Sequence, residues 1–268
     1  MTHSRTNQPL RVLQLTDPHL MADAQGCMLG VNTRDSLNAV IEQALASHGQ
    51  PDLVLATGDI TQDASEVAYR YFGEQLKVFN CPSSWIAGNH DDSAVQARVA
   101  AEFQAGQKRI VQGGWHFVML DSSVPGKVYG ELDSTELGFL QQALVEHPDL
   151  PTMVCLHHHP VSIGSAWMDK IGLTNPESFW QILEQHPQVK IVLWGHIHQD
   201  FHQQHHGVHL LATPSTCIQF AAGSEGFAVE PAAPGYRWFE LSASGEFQTE
   251  VGRATRFEFE LDENSEGY

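Results

Sequence analysis

Positive charge is scarce in this chain: its 268 residues carry 14 Lys and Arg against 32 Asp and Glu, a formal net charge of −18 with histidine neutral. Nucleic-acid polymers are gripped mainly by clustered Lys and Arg, so no polymer partner is expected. Cysteine is also scarce. Cys27, Cys81, Cys155 and Cys217 lie far apart with no C-x-x-C pair, which disfavours a disulfide scaffold and points to a reducing cytoplasm. Cys155 falls in an apolar run and reads as a small core residue. Long apolar segments are missing too: residues 1–9 are polar, and the apolar run after them is too short for a signal segment or a membrane span. No membrane partner is expected, and oligomeric state is not legible.

Histidine, by contrast, is plentiful, with 16 residues. Five blocks rich in Asp, His and Asn each end a short apolar run: Asp17-Pro18-His19, Gly58-Asp59, Gly88-Asn89-His90-Asp91, His157-His158-His159 and Gly195-His196-Ile197-His198. The runs before them, 12–15, 53–56, 84–87, 153–156 and 191–194, read as buried strands. Every block then sits where a strand gives way to a loop, the place where open α/β sheets hold their ligands. A lone histidine is more often a satisfied loop or core residue. Seven donors in this common position, Asp17, His19, Asp59, Asn89, His157, His196 and His198, instead suggest two metals sharing a bridge, and Asp59, with two oxygens, is the candidate bridge. Imidazole, carboxylate and amide donors suit divalent Fe, Mn, Zn or Co and do not choose among them.

The order D-x-H, GD, GNHD, H, GHxH resembles the calcineurin-like metallophosphoesterase superfamily, over residues 17–198. Narrower wording is similar to the bacterial class III cyclic-AMP phosphodiesterases: Gln14-Leu15-Thr16-Asp17, Leu29-Gly30-Val31-Asn32-Thr33, Gly58-Asp59-Ile60-Thr61-Gln62-Asp63, Leu156-His157-His158-His159-Pro160, Leu211-Ala212-Thr213-Pro214-Ser215-Thr216-Cys217 and the terminal Ser265-Glu266-Gly267-Tyr268. The resemblance implies an α/β fold, a four-layer αββα sandwich of two mixed sheets flanked by helices. It also implies a split of the donors, with Asp17, His19, Asp59 and His198 on one metal and Asp59, Asn89, His157 and His196 on the other. The activity implied is hydrolysis of a small cyclic nucleotide, 3′,5′-cyclic AMP, to 5′-AMP by a hydroxide held between the metals. Another small phosphodiester or phosphomonoester is the alternative, and a non-catalytic metal-binding scaffold the third reading.

Asp59, Asn89 and His90 are the candidate catalytic residues, and His19, Asn89, His90 and His159 the candidate substrate contacts. His90 follows a ligand without being needed as one, so it is assigned to bind the phosphate or protonate the leaving oxygen. Asp91 either orients that imidazole, or Asp91 or Asp92 caps a helix. His158 should face away from His157, since successive strand residues alternate, and His159 back toward it. Trp167, Met168 or Phe220 would supply stacking surface for a base.

Helical spacing is read at 34–48, 65–79, 93–103, 134–146 and 176–185, with further strands at 117–120, 200–206, 208–212, 237–241 and 247–251. One domain over 1–268 is expected. Residues 161–173 and 220–235 read as loops, and 256–268 as a mobile acidic tail.

Overall fold

The computed structural model describes residues 8–262. In chain order it places strands β1 (Leu10–Leu15), β2 (Leu53–Thr57), β3 (Ser83–Ile86), β4 (Arg109–Gln112), β5 (Trp115–Met119), β6 (Thr152–Cys155), β7 (Val189–Trp194), β8 (Phe201–His205), β9 (Val208–Ala212), β10 (Gly235–Leu241) and β11 (Phe247–Arg253). Five helices lie among them: α1 (Thr33–His48), α2 (Glu66–Leu76), α3 (Ser93–Glu102), α4 (Ser134–Glu146) and α5 (Pro176–Leu183). One sheet has the order β11-β10-β1-β2-β3 and the other β8-β9-β7-β6-β5-β4. Strands β1, β2 and β3 run parallel, as do β5, β6, β7 and β9, while β4, β8, β10 and β11 pair antiparallel.

Alternation along the strands explains the layering. Val12, Leu53, Leu55, Phe117, Met153, Cys155, Ile191 and Leu193 pack in one core between the sheets. Their sequence neighbours Leu13, Leu15, Val54 and Ala56 turn outward into a second core with residues of α1, α2 and α3. Val118, Val154, Val192 and Trp194 turn outward on the other side, against α4 and α5. Strands apolar on both faces are buried on both faces, and the four-layer αββα sandwich follows.

The helices begin at caps legible in the sequence. Asn32, Ser65, Asp92 and Asp133 each accept backbone N–H groups of the first turn, satisfying donors that have no partner inside the helix. Asp92 therefore holds the cap of α3, and Asp91 does not. The expected helix at 65–79 narrows to α2 followed by one tighter turn, Lys77–Phe79. Strand β4 was not expected: it alternates exposed and half-buried residues at a sheet edge, so no apolar run marks it.

The start of the expected tail is docked. Phe257, Phe259 and Leu261 pack on the core beneath α4 and α5, and the Asp262 N–H donates to the Leu29 carbonyl at 2.9 Å. The rest of that expected tail, with the wording at 265–268, lies outside the described residues.

Candidate metal centre

The parallel strands of both sheets end at one rim, and each candidate ligand follows such an end within a few residues. Asp17, His19, Asp59, His157, His196 and His198 are all buried. Five of these lie in left-handed backbone, Asp17 (φ 53°), His19 (47°), Asp59 (47°), His196 (63°) and His198 (50°). Each such residue costs on the order of 1–3 kcal/mol and persists only where its surroundings fix it. Here the fixing is visible. Asp17 N–H donates to Gly58 O and His19 N–H to Asp59 O, both at 3.0 Å, and the His196 N–H donates to both Asp17 carboxylate oxygens at 3.0 and 3.1 Å.

Glycine precedes three of the blocks because a side chain does not fit. A Cβ on Gly58 would lie 2.3 Å from His157 Nδ1, on Gly88 2.2 Å from Asp59 Oδ1, and on Gly195 2.1 Å from Thr16 Oγ1. The backbone is thus pressed against the candidate ligands.

The outer nitrogens of the imidazoles are tied down. His157 Nδ1 lies 2.8 Å from Thr57 O, His198 Nδ1 2.9 Å from Ile218 O and His19 Nδ1 2.7 Å from Gln62 Oε1. His196 is reversed, with Nε2 at 3.1 Å from Ile171 O. Donation outward leaves the inner nitrogen with a lone pair, the arrangement metal-binding histidines use. The inner atoms converge: His19 Nε2 and His198 Nε2 are 3.1 Å apart, His157 Nε2 is 3.2 Å from Asp59 Oδ2 and His198 Nε2 3.4 Å from Asp17 Oδ1.

Electrostatics fit a cation here. Burial lowers His19 to about 3 and drives His196 well below the usual range, helped by His158 and His157. Burial opposes charge on His157 as well, but Asp59 outweighs it and lifts the group to about 9. The same His157, with His90, holds Asp59 well below the carboxylate range against its own burial. A buried cluster of this kind binds positive charge, as a proton or as a metal ion. Asn89 Oδ1 and His196 Nδ1 are buried with no hydrogen-bond partner, a state that buried polar groups generally avoid, and His157 Nε2 and Asp59 Oδ2 face each other across 3.2 Å. The residues present fit a metal.

His90 is half-buried at the rim. Its N–H donates to Asp59 Oδ1 at 2.8 Å, and its ring lies edge-on to His19 with centroids 5.0 Å apart. Asp91 reaches the backbone of both loops and two hydroxyls. It accepts from Gly88 N–H (2.9 Å), Ile60 N–H (3.1 Å), Thr61 N–H (3.0 Å), Thr61 hydroxyl (3.2 Å) and Tyr69 hydroxyl (2.9 Å), and so ties the Asn89 loop to the Asp59 loop. The helix cap expected of Asp91 or Asp92 falls to Asp92.

The His158 ring is turned back, Nδ1 at 2.9 Å from the Ser122 hydroxyl, yet packs 4.7 Å from the His196 ring. His159 lies on the same side as His196, stacked at 5.7 Å and 20°, but is only 3% exposed and has Asp169 3.8 Å away.

Phe220 and Met168 are buried; Phe220 is stacked on His198 at 4.1 Å and 9°. Of the three residues expected to offer a base surface, only Trp167 keeps some exposure. The 161–173 and 220–235 loops are joined at Ser224, whose carbonyl accepts from Ala166 N–H and Ser165 and whose hydroxyl accepts from Trp167 Nε1.

Sequence reasoning missed the support behind Asp17. Thr16 donates to Asp17 Oδ2 at 2.6 Å, Ser215 to Asp17 O at 2.7 Å, and Ser36 to Thr216 O at 2.6 Å. Gln14 sits between the sheets, donating to Thr57 Oγ1 and Trp194 O and accepting from Thr213. The wording at 14–17 and 211–217 is a brace for the Asp17 loop.

The family model for calcineurin-like phosphoesterases matches residues 10–200. This chain belongs to that family. Similar full-length relatives include the 3′,5′-cyclic adenosine monophosphate phosphodiesterases CpdA of Pseudomonas aeruginosa, 40% identical over 98% of this chain and 97% of that protein, and of Escherichia coli strain K12, 40% identical over 97% and 95%. A 3′,5′-cyclic-nucleotide phosphodiesterase of Nostoc is 37% identical over 91% and 92%. Among solved structures, a dimetal phosphatase of Danio rerio aligns with a TM-score of 0.71 at 15% identity, covering 97% of this chain and all of the other. That likeness is one of fold. Among the described residues no helix is long and apolar enough to cross a membrane.

Proposed function

We propose that this chain hydrolyses 3′,5′-cyclic AMP to 5′-AMP with the help of two divalent transition metals. The observation that carries the site is the gathering of buried ligand atoms within 4.8 Å of one another, in the groups Asp17, His19 and His198 and Asp17, Asp59 and His157; the substrate rests on relatives of near-equal length named for cyclic AMP. Asp17, His19, Asp59 and His198 would hold one ion and Asp59, Asn89, His157 and His196 the other. When bound, such ions activate water near neutral pH and neutralise phosphoryl charge.

The chain's own groups supply the rest. Asp59 is anchored by the His90 N–H, and its carboxylate would be shared between the two ions. His90, at the rim beside His19, is placed to meet the phosphate and to protonate O3′ as a water oxygen bonds to phosphorus and the P–O3′ bond breaks. Asn89 offers its amide N–H to a phosphoryl oxygen, and His19 faces the same position. His159, almost buried behind His196, is assigned to backing that ring rather than to touching substrate. With four free cysteines, a reducing cytoplasm is the compartment we assign.

Turnover of cyclic AMP, cyclic GMP and an aryl phosphodiester, before and after chelation, tests the reading. Cyclic AMP should have the highest kcat/KM, chelation should abolish turnover, and a divalent transition metal should restore it. Equal kcat/KM on all three substrates overturns the substrate, and full activity in protein shown metal-free by elemental analysis overturns the mechanism.

A further inference from the structure

We propose that the hairpin of β8 and β9 carries a second, peripheral site for a divalent transition metal, held by Glu184, His205 and His206. It shares no residue with the centre described above. The hairpin closes on the pair His205 and Val208, and its two turn residues, His206 (φ 50°) and Gly207 (φ 84°), are both left-handed, as a two-residue type I′ turn requires. Asn, Asp or Gly ordinarily opens such a turn, and here a histidine does. The left-handed step has a geometric result. In a regular strand, His205 and His206 would face opposite sides, whereas here their rings stack at 4.1 Å and 10°.

Glu184, just past α5, completes the cluster with Oε1 3.3 Å from His206 Nδ1. One donor atom from each of the three residues lies within 4.8 Å of the others. Bonds of about 2.1 Å to a tetrahedral ion put donors roughly 3.4 Å apart, so the side chains must draw in by an ångström or so. The two outer members have room to do it, His206 being 64% exposed and Glu184 49%, while His205 is half-buried against Trp180. A plain surface ion pair would account for Glu184 and His206 and would not call for His205. Two imidazoles and one carboxylate suit Zn, Co, Ni or Cu and not Ca or Mg, which take oxygen. Trp180 lies against the cluster, its ring 4.6 Å from that of His205, so a paramagnetic ion bound there has a reporter beside it.

The test uses holoenzyme with its dinuclear centre loaded and free metal removed, titrated with Ni²⁺ by calorimetry and by tryptophan fluorescence. Elemental analysis afterwards confirms that the pre-loaded metal is still in place. One further ion per chain and quenching of Trp180, judged against Trp180→Phe, are expected. The single variants His205→Gln and His206→Gln should each weaken the event by about tenfold or more and leave cyclic AMP turnover without added Ni²⁺ unchanged. His202→Gln/His209→Gln, which removes the neighbouring pair 3.0 Å apart, should leave Ni²⁺ binding intact. Wild-type binding in both single variants, or loss only in the His202/His209 variant, overturns the proposal. Neither result bears on the cyclic AMP reading.

Discussion

Asp91→Asn separates a structural carboxylate from a catalytic one. Burial beside Asp59 raises Asp91 to about 6, so at pH 7.5 it is an anion. Five donors point at it, two at Oδ2 and three at Oδ1. Asparagine must turn its NH₂ toward one set. The cheaper choice is the Oδ1 side, because the Thr61 and Tyr69 hydroxyls can rotate to accept, while the Thr61 N–H is left facing a donor. One orphaned N–H costs about 1–3 kcal/mol, and lost charge assistance on the remaining bonds adds to it. A total near 3 kcal/mol lowers Tm by roughly 6–12 °C at this size. The Gly88 and Ile60 backbone then loosens next to Asp59 and Asn89, so bound metal should fall as well. Calorimetric melting and elemental analysis of the purified variant check both. A variant with wild-type Tm and metal content that loses only rate would refute the reasoning, since that is the signature of a residue orienting His90.

His90→Ala should keep both metals and lose about 10²–10⁴-fold on cyclic AMP, but much less on an activated aryl diester that needs no proton; metal content falling as far as in Asp59→Ala would make His90 a ligand. Gly195→Ala, whose Cβ would sit 2.1 Å from Thr16 Oγ1 and 2.6 Å from Asp17 Oδ2, must displace Asp17 by an ångström, a shift that costs about 10²-fold in rate; a variant with unchanged kcat and metal affinity would show that the loop yields elsewhere. Burial, with His147 alongside, lowers His116 to about 4. The unfolded chain takes up that proton below about pH 6.5 and the folded chain does not, so stability is full above 6.5 and declines toward pH 4. Urea midpoints between pH 7 and 4.5 should fall less in His116→Gln than in wild type, and parallel curves would dismiss the effect.

The strands that carry the candidate ligands were legible because each is an apolar run cut short by Gly or a polar block. Strand β4 was not, since an exposed edge such as Arg109–Gln112 needs no apolar face. The ligand residues were legible by type and place. Their supports were not, because they act through backbone atoms far away in sequence, as Ser36 does on Thr216 O at a separation of 180 residues. The hold of Asp91 on both loops was not legible for the same reason: three of its partners are backbone N–H groups, which no residue pattern advertises. Loop wording at 29–33 likewise proved to be a tight ribbon whose Asn32 caps α1.

The order of strands in the first sheet has a consequence for how the molecule is made. Strand β1 lies between β2 and β10, so this early strand is completed by a hairpin more than two hundred residues further along the chain. Asp17 waits on His198, and its brace waits on Ser215. Such long-range pairing is slow to form, and a chain stalled before residue 198 has only part of the donor set. A variant truncated before residue 198 should therefore bind less divalent metal than the full chain, which elemental analysis would check.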